Sequence, residues 1–137
     1  MITIQDSIEA LGGIAAMREL VRFGHDREVI LMSAEARRII RVRQGWYAVP
    51  GNHWAVEAAW RAGGALACVS ALAYLGFMDH PEELHIAVRG NADRRRDASG
   101  AVTHWCRADP GGDRRAVSIG AAVRQAARCA HVRRDSL

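Results

Sequence analysis

Near the start of the chain, apolar residues recur at the three- and four-residue spacing of an α-helix in three short runs. These runs cover residues 4–11, 14–21 and 26–35. Gly24 supplies a tight turn before the third run, and the carboxylate of Asp26 is placed to cap that helix. Three short helices with a glycine turn between the second and the third are typical of the helix-turn-helix motif.

Two strand-like runs follow, at residues 39–43 and 46–50, and only Gln44 and Gly45 separate them. A two-residue connection that ends in glycine predicts a tight β-hairpin in which Arg43 lies opposite Trp46. The expected pairs beyond the turn are Val42 with Tyr47, Arg41 with Ala48 and Ile40 with Val49. One face would then be apolar, with Ile40, Val42, Tyr47 and Val49. The other face would carry Arg41, Arg43 and Trp46, as the DNA-contacting wing of a winged helix requires.

The pattern changes after residue 51. Helices are predicted over residues 52–62 and 65–75, and strands over about 84–88 and 101–106. A last amphipathic helix carries an apolar stripe made of Ile119, Ala122, Val123 and Ala126. The same stripe would suit the seam of a homodimer, but we expect it to close the core because exposed apolar stripes are uncommon in monomers.

The predicted fold class is therefore α+β, with an N-terminal winged helix-turn-helix followed by a small α+β subdomain. We assign residues 1–50 to a DNA-binding domain and residues 51–130 to a small domain for interaction or dimerisation. Residues 131–137 are expected to form a frayed tail.

The charged residues narrow the chemistry further. All 19 basic side chains are arginine, so no lysine is present for a phosphate-binding loop, a Schiff base or a lysine-dependent nuclease motif. The formal net charge is +4, and residues 89–137 carry most of the excess. Guanidinium groups suit phosphate partners, although a GC-rich coding sequence would also enrich arginine. We expect the run at residues 94–96 to lie in a solvated loop.

Three segments carry a resemblance to a known family: GGIAAMRELVRFG, IIRVRQGWYAVPG and RAGGALACVSALAYLGF. Together with LHIAV and the closing helix, they resemble the AbiEi family of antitoxin-type winged-helix proteins over most of residues 10–130. The resemblance implies that the N-terminal region binds operator DNA and represses its own operon. It also implies that the second region either counteracts a nucleotidyltransferase-like protein toxin or leads into a further C-terminal domain.

One departure from the family lies in the third helix. Residues 29–32 form a continuous apolar run, Val-Ile-Leu-Met, where the family usually spaces arginines. Not all four side chains can face the core of a helix of three turns. One of them, such as Leu31, would contact thymine methyl groups, or else the helix packs against a partner.

Candidate DNA-contacting residues lie on the third helix and on the hairpin. We expect base edges to be read at the start of the third helix, by His25, Arg27 and Glu28. We expect phosphates to be bound mainly by Arg37, Arg38 and Arg41. The hairpin tip would reach a minor groove through Arg43 and Gln44. The alternative for all of them is a solvated arginine face, and Trp46 is expected to be partly exposed and to stack on Arg43.

No catalytic, metal or cofactor site is predicted. His85, His104 and Cys106 are closest to a metal-ligand pattern, but no fourth ligand follows at a usual spacing. Cys68 and Ser70 lie in a helix rich in alanine and leucine with no neighbouring base, so we expect them to be packing residues. The three cysteines show no CxxC spacing, which makes a disulfide framework unexpected.

The sequence thus predicts a cytoplasmic transcriptional repressor that binds inverted-repeat operator DNA and is neither an enzyme nor a membrane protein. One alternative is a phage-type immunity repressor on the same scaffold. Another is a protein-interaction module that binds a toxin or a sister subunit and has weak DNA binding. A third, the remnant of a nuclease, is disfavoured by the absence of lysine.

Overall fold

The computed structural model describes residues 2–89 and 100–132. Within these residues the chain forms six helices and two three-stranded sheets. This mixture of helices and small sheets confirms the predicted α+β fold class.

In the first third of the chain, short helices alternate with the strands of the first sheet. The elements in order are α1 (Ile4–Ala10), β1 (Ile14–Ala16), α2 (Met17–Arg22), α3 (Arg27–Glu35), β2 (Ile40–Arg43) and β3 (Trp46–Ala48). Helix α1 begins with a capping box. The Asp6 amide donates to the Thr3 hydroxyl at 3.0 Å, and the Thr3 amide donates to the Asp6 carboxylate at 3.3 Å. The three predicted helices are confirmed, apart from the start of the second.

Residues 14–16, predicted as the beginning of the second helix, form strand β1 instead. Ile14 pairs with Ala48 in an antiparallel register, and the sheet order is β1-β3-β2. The preceding Gly12 and Gly13 have φ angles of 103° and 88° and turn the chain away from α1. Pairing with a distant strand therefore overrides the helical preference of the alanines in this segment.

Strands β2 and β3 form the predicted hairpin, and Arg43 pairs with Trp46 as expected. Val42 then forms a β-bulge that shifts the rest of β2 by one position. The pairs beyond the bulge are Arg41 with Tyr47 and Ile40 with Ala48. The predicted pairs of Val42 with Tyr47, Arg41 with Ala48 and Ile40 with Val49 are therefore wrong. Loop length fixes the register only while both strands stay regular.

A first apolar cluster holds α1, α2 and α3 on this sheet. Its buried members are Ile4, Ile8, Ala15, Leu20, Ile30, Ile39 and Tyr47. Despite the bulge, Val42 and Tyr47 are buried while Arg41 is exposed. The predicted separation of apolar and arginine side chains therefore holds at these three positions.

The remaining elements build a second sheet covered by helices. They are α4 (Trp54–Ala62), β4 (Ala65–Leu66), α5 (Cys68–Tyr74), β5 (His85–Arg89), β6 (Val102–Cys106) and α6 (Ile119–Arg128). The strand order is β4-β5-β6, with β4 antiparallel and β6 parallel to β5. Gly64 is required before β4, because a β-carbon there would overlap the carbonyl oxygen of Ala87.

Two predicted helices of this half need correction. The segment 65–75 is not one helix, because Ala65 and Leu66 pair with β5 and only the residues from Cys68 onward are helical. The ring of His53, rather than the Asn52 side chain, caps α4: its Nδ1 accepts from the Ala55 amide at 3.1 Å.

The apolar stripe predicted on α6 is only partly correct. Ile119 and Val123 are 48% and 52% exposed, whereas Ala122 and Ala126 are buried together with Ala121. Alanine lets α6 approach α5 closely, which the larger branched side chains would prevent. The buried part of α6 thus closes the core as expected, and the branched part of the stripe does not take part.

A second apolar cluster joins the two segments predicted as separate domains. Ile14, Val42 and Ala48 of the first sheet pack in the same cluster as residues of α4, α5 and α6. Arg114 strengthens this junction, since its guanidinium donates to both carboxylate oxygens of Glu19 at 2.5 and 2.6 Å and to the carbonyl of Ile14 at 3.1 Å. The division into a domain at residues 1–50 and another at residues 51–130 stays a prediction.

Two predicted segments lie outside the described residues: the arginine run at 94–96 and most of the predicted frayed tail. Across residues 2–89 and 100–132, no helix combines the length and the apolar character needed to cross a bilayer.

Candidate functional site

The exposed surface around α3 is the first candidate site. The Asp26 carboxylate caps this helix by accepting the Glu28 amide at 2.8 Å, so the first turn is held with Arg27 and Glu28 exposed to solvent. Of the apolar run in α3, Ile30 alone is buried. Val29, Leu31 and Met32 are 50%, 42% and 65% exposed, which confirms that the four residues do not all face the core.

The segment after α3 presents two more arginines in a defined backbone conformation. The Arg37 amide donates to the carbonyl of Ala34 and the Arg38 amide to that of Ser33, the pair of bonds of a Schellman motif. Arg37 occupies the position usually taken by glycine and has a φ of 60°. Both arginine side chains are exposed, as are Arg41 on β2 and Gln44 at the hairpin tip.

Two predicted DNA-contacting residues are instead partly buried. The Nε2 atom of His25 lies 2.7 Å from the hydroxyl of Ser7, so the ring ties the turn before α3 to α1. The Nη1 atom of Arg43 is buried and lies 2.9 Å from the point where a β-carbon at Gly63 would be. Arg43 therefore packs against the end of α4 rather than extending from the hairpin tip.

Trp46 makes two ring contacts that the sequence did not predict. Its ring lies 4.6 Å from that of Trp60 between centroids, and the Arg18 guanidinium lies 5.9 Å from its centroid. Trp46 thus contacts Trp60 and Arg18, and its predicted stacking on Arg43 stays a prediction. The partial exposure expected for Trp46 is confirmed.

The second candidate site is a cluster of two cysteines and two histidines in the second half of the chain. Cys68 begins α5, His85 begins β5, His104 lies in β6 and Cys129 follows α6. Their sulfur and ring nitrogen atoms all lie within 4.8 Å of one another. The Nδ1 atom of His85 is 3.2 Å from Nε2 of His104, and the Cys129 sulfur is 4.0 and 3.8 Å from these two nitrogens.

Neighbouring groups fix two members of the cluster. The Cys68 amide donates to Oε1 of Gln125 at 2.9 Å, and the His85 amide donates to the Ser70 hydroxyl at 2.9 Å. Cys68 has a φ of 53°, a conformation that costs a residue with a β-carbon roughly 1–2 kcal/mol. The surrounding structure therefore holds this cysteine in a strained backbone conformation.

Burial perturbs the protonation of the cluster. Desolvation raises the pKa of the Cys68 thiol to about 12, and the Cys129 thiol beside it adds to the effect. Desolvation lowers the pKa of His85 to about 4, helped by His104, and it also lowers the pKa of His104. At neutral pH, and with no cation bound, the Cys68 thiol is protonated and both imidazoles are neutral.

Sequence reasoning missed this cluster because its members are far apart in the chain. No further ligand was expected beside His85 and His104 because none follows at a usual spacing, yet the fold brings Cys68 and Cys129 to them from α5 and the end of α6. Cys106, the cysteine considered with them, is not in the group, and its sulfur contacts the His104 carbonyl at 3.7 Å. His85 is 1% exposed because α5 packs on β5 and Cys129 lies beside its ring.

Comparison with known proteins does not assign a function to the chain. No protein-family model matches the chain, and no curated protein is significantly similar to it. The function must therefore be inferred from the exposed surface of α3 with the hairpin, and from the cysteine–histidine cluster.

Proposed function

We propose that this chain binds double-stranded DNA through a winged helix-turn-helix and acts as a transcriptional repressor. The order α1-β1-α2-α3-β2-β3, with the sheet order β1-β3-β2, is the one a winged helix requires. In this proposal α2 and α3 are the helix-turn-helix and the β2–β3 hairpin is the wing.

The observation that carries the proposal is the exposure of α3. A recognition helix must protrude far enough to enter a major groove about 12 Å wide. Helix α3 gives the core only Ile30, so most of its circumference faces solvent. Exposed arginines lie at both of its ends, Arg27 in the first turn and Arg37 and Arg38 just after the last.

The roles within this surface follow from burial and position. Arg27 and Glu28 read base edges, while Arg37, Arg38 and Arg41 bind phosphates. Gln44 at the hairpin tip reaches the minor groove. His25 and Arg43, both partly buried, act on the fold: His25 positions the turn before α3, and Arg43 holds the hairpin against α4.

The test is a fluorescence anisotropy titration of the chain, at two salt concentrations, with two labelled duplexes. One duplex is the DNA directly upstream of the chain's own gene, and the other is a scrambled sequence. We expect tighter binding to the upstream duplex, with an affinity that falls as salt rises. R41A should weaken binding to both duplexes and reduce the salt slope by about 1, while R27A should reduce the preference for the upstream duplex.

The matched control is R124A, which removes the same charge from an exposed position on α6. It should leave both affinities close to those of the unmodified chain. Equal losses for R41A and R124A would show that only net charge matters and would reject the assigned surface. Equal affinity for the two duplexes would reject sequence-specific repression.

A second candidate function, binding of a protein partner through α3, is favoured by one observation. Val29, Leu31 and Met32 are exposed on α3, and Phe23 at the end of α2 is 58% exposed. Such a group of apolar side chains suits a protein interface. The resemblance to antitoxins makes a protein toxin the natural partner, and co-purification of a second protein from the native host would test this.

A further inference from the structure

The cysteine–histidine cluster has the dimensions of a tetrahedral metal site. Zinc lies about 2.3 Å from thiolate sulfur and about 2.0–2.1 Å from imidazole nitrogen. A tetrahedron with these bonds has edges of about 3.4 Å between nitrogens, 3.6 Å between nitrogen and sulfur and 3.8 Å between sulfurs. The observed separations are 3.2 Å between the two nitrogens and 3.8 and 4.0 Å from these to the Cys129 sulfur. These three separations lie within about 0.4 Å of the ideal edges. The Cys68 sulfur lies within 4.8 Å of the other three atoms, so a shift of up to about 1 Å would complete the tetrahedron.

The donor chemistry fits a borderline-soft dication. Thiolate and imidazole ligands select zinc and its neighbours over magnesium or calcium, which prefer oxygen. Binding would displace the protons of the Cys68 and Cys129 thiols, and the two thiolates would balance the charge of the ion. The neutral imidazoles would add no charge, so the occupied site could be buried without a net charge.

We propose that Cys68, His85, His104 and Cys129 bind one zinc ion in a structural site. All four positions of the tetrahedron are filled by protein, which leaves none for water or substrate, as in structural rather than catalytic zinc sites. The ligands come from α5, β5, β6 and the residue after α6. The ion would therefore fasten both α5 and the end of α6 to the parallel strand pair.

The alternative is a metal-free core in which one histidine donates a hydrogen bond to the other. That arrangement explains the 3.2 Å between Nδ1 of His85 and Nε2 of His104. It does not explain why two thiols converge on the same pair of nitrogens, nor why Cys68 is held at a φ of 53°. A single metal ion bound by all four side chains explains these features together.

The first measurement is the metal content of the untagged full-length chain, purified from zinc-supplemented medium and exchanged into metal-free buffer. We expect about one zinc per chain, and X-ray absorption at the zinc edge should show two sulfur and two nitrogen neighbours. Cobalt added to the chelator-stripped chain should give the intense visible bands of tetrahedral coordination with thiolate ligands. This spectrum is read on the natural sequence and does not depend on how any variant folds.

Variants then assign the ligands. C129S and H104Q should each lower zinc affinity more than about a hundredfold, beyond the roughly 10–100-fold that the loss of a supporting residue costs. The matched controls are C106S, which removes a thiol next to the cluster, and H131Q, which removes an exposed histidine. Both controls should retain zinc.

Three results would overturn the proposal. One is a natural chain that binds neither zinc nor cobalt at about one ion per chain. Another is loss of zinc in C106S equal to that in C129S. The third is a Cys68–Cys129 disulfide in the chain purified under reducing conditions, detected by thiol counting and mass spectrometry. DNA binding is measured separately, so none of these results bears on the proposed repressor function.

Discussion

Arg37 stands where the end of α3 favours glycine, and R37G should therefore stabilise the fold. The left-handed conformation costs a residue with a β-carbon roughly 1–2 kcal/mol. Glycine removes this cost but lowers the free energy of unfolding by roughly 0.5–1 kcal/mol, because its unfolded chain has a greater conformational entropy. The free energy of unfolding should thus rise by about 0.5–1 kcal/mol, or about 2–4 °C in Tm for a chain of this size.

Chemical denaturation followed by circular dichroism measures the change, and two variants separate backbone strain from charge. R37A removes the same charge but keeps the β-carbon, so it should not gain stability. R38G places glycine at the next exposed residue, where φ is not positive, and should lose about 0.5–1 kcal/mol. If R37G is no more stable than R37A, the conformation of Arg37 is not strained and the reasoning fails. If Arg37 binds a phosphate as proposed, both Arg37 variants should weaken DNA binding equally, because each removes that contact.

Two further predictions concern stability. The guanidinium of Arg114 holds the pKa of Glu19 below its ordinary value of 4.5, so this ion pair stabilises the fold above that pH and is lost as pH falls through the lowered value. The Tm of E19Q should therefore lie below that of the natural chain at neutral pH and converge with it in acid; a constant difference down to the acid limit would contradict this. G64A should cost several kcal/mol, because its β-carbon would overlap the Ala87 carbonyl. In contrast, G120A on the exposed side of α6 should gain up to about 1 kcal/mol, and a comparable loss in both glycine variants would argue against the assigned β4–β5 approach.

Local patterns in the sequence predict local structure well in this chain. The start of α3 follows from the capping residue Asp26, and the hairpin turn follows from Gln44 and Gly45. Strands β1 and β4 were not predicted, because both are short segments whose partners lie far along the chain. The bulge at Val42 was not predicted for a different reason: no local pattern distinguishes an extra residue in β2.

The same contrast between local patterns and contacts of distant segments holds for the candidate sites. Exposure of Arg27 and Arg41 agrees with the amphipathic pattern of their elements, but the inward packing of Arg43 depends on Gly63 in another part of the fold. The cysteine–histidine cluster depends entirely on tertiary structure. Cys68 and Cys129 meet because α5 packs on α6. His85 and His104 meet because β5 and β6 are neighbouring strands and His104 pairs with Ala87, two residues from His85 on the same face.

The tryptophan pair offers an optical view of the junction between the two halves of the chain. Trp46 belongs to the hairpin and Trp60 to α4, with ring centroids 4.6 Å apart, and the Trp60 indole donates to the Arg114 carbonyl at 2.6 Å. Two indoles at this distance couple their electronic transitions and produce a paired band in circular dichroism. That band vanishes as soon as the rings separate, even while each half keeps its own secondary structure. The Trp46–Trp60 pair therefore reports, without any added label, when the β2–β3 hairpin separates from α4.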